Sequence, residues 1–212
     1  MGSSSKVTVG YKYYLGMHQV YCYGPIDAIQ SVVAGDRELT VQVSKGGASA
    51  YPITSSQRVY VNSPDLWGGD GGEGGVKGYM DVAMGESTQT PNAYLDSAIT
   101  GNVPAYRGVL GLILNKMQIA SYNPYVKPWM MKVKRTLTNT DGSARWYSSA
   151  ADIGGQCNPA HIVYEVLTNR QWGMGYPTSS IDDSNFRAAA DTFVSEGFGM
   201  WIKWSSSAKI KD

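Results

Sequence analysis

Residues 158–204, NPAHIVYEVLTNRQWGMGYPTSSIDDSNFRAAADTFVSEGFGMWIKW, read as two capped helices followed by a strand. Asn158 is placed to accept from an orphan backbone N–H, and Pro159 suits the first helical position, where its missing donor costs nothing. Ile162, Val163, Val166 and Leu167 then share one stripe at helical spacing, which must be buried. The loop QWGMGYP ends that helix, since Gly173, Gly175 and Pro177 supply positive φ or forbid continuation. Asp182 is a second N-cap, with Ile181 and Phe186 spaced as a hydrophobic staple. Phe186, Ala190, Phe193 and Val194 give the second helix its apolar face, and Gly197 its stop. Phe198, Met200, Ile202 and Trp204 alternate with Gly199, Trp201 and Lys203, the period of a strand.

Upstream of this stretch the pattern changes to alternation. Val7, Val9, Tyr11, Tyr13, Leu15 and Met17 hold a period of two, and after a bend near Gly16 to His18 the run Val20 to Tyr23 continues extended. The spacing of Ile26, Ile29, Val32 and Val33 after Pro25, with Gly35 beyond, predicts a short helix. Leu39, Val41 and Val43 return to alternation. Residues 44–75 hold few apolar anchors, so an excursion is expected, with a small ribbon at 58–61 and a glycine loop, GGDGGEGG, at its end. Val76, Met80, Val82 and Met84 alternate again, and TPNAYLDSAI suits one or two helical turns. YRGVLGLILNKMQIASY predicts a buried strand, a turn near Asn115 and a second strand. Trp129, Met131, Val133 and Leu137 face one way against Lys132, Lys134 and Thr136.

The expected fold class is therefore α+β: a β-rich barrel over residues 1–137, closed around one short helix and carrying an insertion at about 44–75. A linker over 138–157 leads into a helix, helix, strand segment over 158–212. No internal repeat at solenoid or propeller spacing is visible.

The 212 residues carry a net charge of +1 with 17% charged side chains, which argues against a phosphate-tracking surface and hence against nucleic acid as a partner. Twenty-five glycines and fifteen tyrosines against three phenylalanines point to a turn-rich protein with amphipathic aromatics near its surfaces. Cys22 and Cys157 fit no metal or disulfide framework. The opening MGSSSKV lacks the apolar run of a signal peptide, and no membrane span is expected, since no stretch nears the roughly 18 apolar residues one needs.

Five ordered blocks resemble the central hub proteins at the tail tip of long-tailed bacteriophages, the group that includes tip attachment (host specificity) proteins. They are VGYKYYLGMHQVYCYGPIDAI, LWGGDGGEGGVKGYMDVAMGESTQTPNAYL, VPAYRGVLGLIL, NPYVKPWMMKVKR and the stretch from Asn158 onward, and together they cover most of the chain. The resemblance implies a tail-tube-like hub barrel and a non-enzymatic structural role in the virion tail, after synthesis in the host cytoplasm. It also implies self-association as a trimeric hub, with distal tail, tail-tube and tail assembly proteins as partners, and that this chain is the amino-terminal part of a longer protein.

Signs of chemistry are few. His18 and His161 stand far apart, no G-x-S-x-G occurs, and neither a cofactor nor a metal is expected. Gly69 to Gly74 satisfies G-x-G-x-x-G but precedes a strand, where a dinucleotide fingerprint must follow one. The carboxylate pairs Asp70/Glu73 and Asp182/Asp183 suit glycoside hydrolysis in principle, yet loop solvation and helix capping explain them. Trp67, Trp146 and Trp172 fall in expected loops and are the interface candidates. Exposed indoles also stack on sugars, so a cell-surface glycan-binding or cell-wall-degrading module is the alternative.

Overall fold

The computed structural model describes residues 11–139 and 141–202. In chain order the strands are β1 (Lys12–Tyr23), β2 (Ala28–Ala34), β3 (Arg37–Glu38), β4 (Val41–Gln42), β5 (Gln57–Ser63), β6 (Val76–Ala83), β7 (Val109–Ser121), β8 (Trp129–Lys134), β9 (Asp152–Ile153) and β10 (Gln156–Cys157). The helices are α1 (Ala93–Ala98), α2 (Pro159–Thr168) and α3 (Asp183–Glu196). The class is α+β, as expected. The chain divides into two compact units, one of residues 1–133 and 140–142, the other of residues 134–139 and 143–212.

The first unit is built on a five-stranded antiparallel sheet, β1-β7-β6-β5-β4, and a three-stranded sheet, β3-β2-β8. Alternation puts Val59, Val61, Met80, Val82, Leu112 and Leu114 on the inner face of the larger sheet, all at most 3% exposed. Ile29, Val32 and Ala34 from β2 join the same core, with Trp129, Met131 and Val133 of β8 packed against it. Among the described residues no sheet closes on itself as a barrel.

Three expectations for this unit are corrected. The segment after Pro25 is a strand, not a helix: Ile29 forms a two-way backbone bridge with Ile53, at 2.8 and 2.9 Å. Its apolar residues are mostly β-branched, stiff at χ1 and at home on a pleated surface, and Ile29 and Val32 are both fully buried. The supposed excursion holds β5, an inner strand paired with both β4 and β6, because VYV supplies two core valines on either side of an outward tyrosine. The turn expected near Asn115 is a bulge in one continuous strand. Between Leu114 and Gln118 β7 spans four steps where β6 spans three, from Met80 to Lys77, and Lys116 takes up the extra residue at φ 46°.

The outer face of the larger sheet is covered by the segment that carries α1. Leu95 and Val103 bury Ile113 there, with Tyr94 and Tyr106 alongside. Gln89 staples the segment's ends by donating to the carbonyls of Ala105 and Tyr106, at 2.5 and 3.1 Å. Thus α1 lies on the sheet's outer face, and the short helix expected inside a barrel, the one after Pro25, is β2 instead.

In the second unit Asn158 and Asp182 cap α2 and α3 as read, and Gly197 stops α3 at φ 67°. The buried stripe of α2 is rotated from the expected one. Ala160, His161 and Val166 are buried while Val163 is half exposed, because the α2 surface that meets α3 also receives Trp146. Val194 is likewise 44% exposed, leaving Ala190 as the fully buried residue of α3. Of the linker expected over 138–157, residues 143–157 fold with the helices: they hold a 3-10 turn at Ser148–Ala150 and the β9-β10 ribbon, with Ala150 and Ala151 buried. The strand expected at 198–204 is reduced to a single bridge, Cys157 with Met200, and Lys203 and Trp204 lie outside the described residues. Cys22 and Cys157 form no disulfide.

Candidate partner-binding surfaces

The glycine loop is pinned, not loose. Lys12 Nζ donates to Asp70 at 2.8 Å, and Lys127 Nζ donates to Glu73 at 2.6 Å. The candidate carboxylate pair of this loop is therefore divided between two lysines. Trp67 sits at φ 53°, its Nε1 donates to Asp36 at 3.3 Å, and Lys127 Nζ lies 4.7 Å from its ring centre. One ring face is thus covered by a cation, and the rest packs on the core. The Trp67 hydrogen bond also leads the interactions that hold the Asp36 carboxyl below its ordinary range.

Trp146 is the aromatic centre of the second unit. It stacks on Tyr164 at 4.4 Å and 7°, meets His161 at 4.9 Å and Phe186 at 6.2 Å, and donates Nε1 to Asp183 at 2.6 Å. Arg187 bonds Asp183 at 2.6 Å and lies 4.5 Å from the Tyr147 ring. Of the carboxylate pair Asp182/Asp183, the first caps α3 and the second serves this cluster. Neither Trp67 nor Trp146 offers an open stacking platform.

Trp172 is 43% exposed, on a loop of fixed shape. Asn169 Oδ1 accepts from the N–H groups of Gln171 and Trp172, at 2.8 and 3.2 Å, while Met174 and Tyr176 donate to the Val166 and Leu167 carbonyls at 2.8 and 2.9 Å. Met174 and Tyr176 are exposed to a similar extent, so the loop presents three large apolar side chains without needing to be ordered first.

Sequence reading missed β1 as a sheet edge and Asp81 as a buried charge. β1 ends the five-stranded sheet with twelve residues, of which Tyr14, Val20 and Tyr23 are more than half exposed. Its long alternation was visible, but position within a sheet depends on pairings no local pattern encodes. Asp81 accepts from Arg58 Nε and Nη2 at 2.6 and 3.0 Å and from Asn92 Nδ2 at 2.8 Å. Burial pushes its carboxyl up, and these hydrogen bonds more than reverse that, holding it below the usual range. The signal available was Asn92 before a short helical run, which marked a cap and not its second bond.

Among the described residues no three His, Cys, Asp or Glu side chains converge as metal ligands, and no helix is long and apolar enough to cross a membrane. No family model and no curated protein matches the chain.

Proposed function

We propose that this chain is a structural component of a phage tail tip, part of the hub that closes the tail tube and carries the host-recognition machinery. The resemblance of the five sequence blocks supports this reading, and one observation carries it further: an antiparallel sheet ending on a long, tyrosine-rich strand at its edge. Such an edge presents a row of backbone donors and acceptors to a neighbouring chain. In this proposal the barrel expected from the sequence is completed between subunits, with β1 continuing into the next protomer of a trimeric hub and the distal tail ring, tube and assembly proteins bound around it. A ring of head-to-tail contacts closes only at the right subunit rotation, so the edge sets the copy number. The protein acts by contact and shape in the virion tail, without turnover.

The test is direct. Purified particles from a host that carries this reading frame are expected to contain the chain, and cryo-electron microscopy is expected to place it at the tail tip in three copies. Replacing Val20 by Lys and Tyr14 by Glu, which leaves the inner face of β1 untouched, is expected to leave tails without a closed tip. Particles that lack the chain, or that assemble normally with both substitutions, would refute the proposal.

A further inference from the structure

In the second unit three segments meet at one buried point. Asn158, fully buried, donates Nδ2 to the carbonyls of Ala150 and Ala190 at 3.0 and 2.9 Å, and its Oδ1 accepts from the Ala160 N–H at 3.0 Å. One side chain thereby ties the 3-10 turn, α3 and the start of α2. Three residues on, His161 is 2% exposed, and its Nε2 is buried with no hydrogen-bond partner. Its ring lies 4.9 Å from Trp146, the residue that bridges α2 and α3 through Tyr164 and Phe186.

Among the described residues, the charged groups on the elements packed around this ring either oppose a second positive charge or are already engaged. From the preceding loop comes Arg145, whose side chain is 8% exposed and whose charge opposes an imidazolium. Glu165, one turn along α2, is held by Arg145 at 2.9 Å and by Arg135 at 3.7 Å. From α3, Asp183 is shared by Arg187 and Trp146, and Asp191 accepts from the Tyr147 hydroxyl at 2.6 Å. His161 also sits in the first turn of α2, where the helix dipole adds to the repulsion of a cation. Its remaining polar contact is a hydrogen bond with the Tyr147 backbone.

We propose that His161 is an acid-release catch: neutral, it locks the α2–α3 joint, and on taking a proton it drives the two helices apart. The buried orphan nitrogen is the geometric basis, since a protonated ring must find a partner there, and only opening to water supplies one. Burial, then Arg145, lower the imidazole from 6.5 to about 4. The group's folded pKa is depressed, so the opened form binds the proton more readily. Stability is unaffected above about pH 6.5 and falls steadily as pH drops from there towards 4.

The experiment is site-resolved amide hydrogen exchange on the full chain at pH 7 and pH 5, corrected for intrinsic rates. Protection in α2 and α3 is expected to fall on the order of twenty-fold between the two values, the ratio those two pKa values give. In His161→Gln or His161→Phe the fall is expected to vanish, while His18→Gln, which removes the chain's other histidine, is expected to keep it. Equal wild-type protection at both pH values, a fall that survives in the His161 variants, or one abolished by His18→Gln would each overturn the proposal. If neither His161 variant folds, the wild type decides: loss of α2 and α3 protection that follows the NMR titration of the His161 imidazole upholds the catch, and protection that stays constant while the imidazole titrates removes it.

Discussion

Asp81 accepts hydrogen bonds from Arg58 on the neighbouring strand and from Asn92, which also caps α1 through the Tyr94 and Leu95 N–H groups. The sheet and the segment that covers its outer face are thus joined through one carboxylate. Asp81→Asn keeps the shape and removes the charge, and is expected to cost about 1 kcal/mol at pH 7, because Arg58 is half exposed and can turn to water. Since the Asp81 carboxyl is depressed in the folded protein, its contribution is complete above the ordinary carboxylate range and is lost as pH falls through the lowered value. Urea denaturation should therefore show the gap between wild type and variant closing below about pH 4. On the same face Gly16 lies against Tyr94, so close that an added Cβ would collide with the hydroxyl. Gly16→Ala is expected to destabilise by about 1–3 kcal/mol, as overpacking does. Tyr94→Phe in that background should restore part of the loss, because the ring carbon behind the hydroxyl is 3.0 Å away. A double-mutant cycle with no coupling would show that Tyr94 moves aside freely.

Element by element, the caps are what the sequence announced most clearly. Asn158, Asp182 and Gly197 all stand where they were read, because a cap is a local device whose side chain meets a backbone group two or three residues away. β2 as a strand, and the inner place of the ribbon read at 58–61, were not legible for the opposite reason. Ile29, Val32 and Val33 satisfy helical spacing, and the segment is extended because of its pairings with β3 and β8 and the bridge to Ile53, twenty-four residues on. Val59 and Val61 flank a tyrosine in a stretch rich in polar residues, and their place inside the sheet is set by β4 and β6 on either side. The loop tryptophans were found as residues but not as roles: Trp146 was expected outside, and a tyrosine eighteen residues later takes its face. The two N-caps also differ in a way that can be measured. Asp182 is exposed and bonds the Asn185 N–H, so Asp182→Ala should cost about 1 kcal/mol. Asn158 adds two buried bonds to its capping one, and Asn158→Ala removes all three at a fully buried position, so about 3 kcal/mol is expected. Equal losses for the two in thermal or urea melts would mean that the buried bonds of Asn158 are replaced by water.

At the scale of the whole chain the two units rest on cores of different substance. The first packs Ile, Val, Leu and Met from two sheets, including Ile29, Val32, Met80, Leu112 and Leu114, each essentially inaccessible to water. The second has a core of Ala150, Ala160 and Ala190, small side chains that bury little apolar area, with Trp146, Tyr147 and Phe193 only partly enclosed around them. Its stability must draw more on hydrogen bonds and ion pairs, such as those of Asn158 and of Arg145 with Glu165. Charged and hydrogen-bonded contacts yield modest net free energy per contact, whereas each fully buried Leu or Ile contributes about 1.5–3 kcal/mol. The second unit is therefore expected to unfold first, in a separate transition, as urea or temperature rises. Leu112→Ala, a large deletion in a filled core, should lower the later transition by about 2–5 kcal/mol and leave the earlier one in place. Asn158→Ala should do the reverse. Calorimetry or residue-resolved exchange distinguishes the outcomes, and a single transition that both substitutions shift together would show that the two cores fold as one cooperative body.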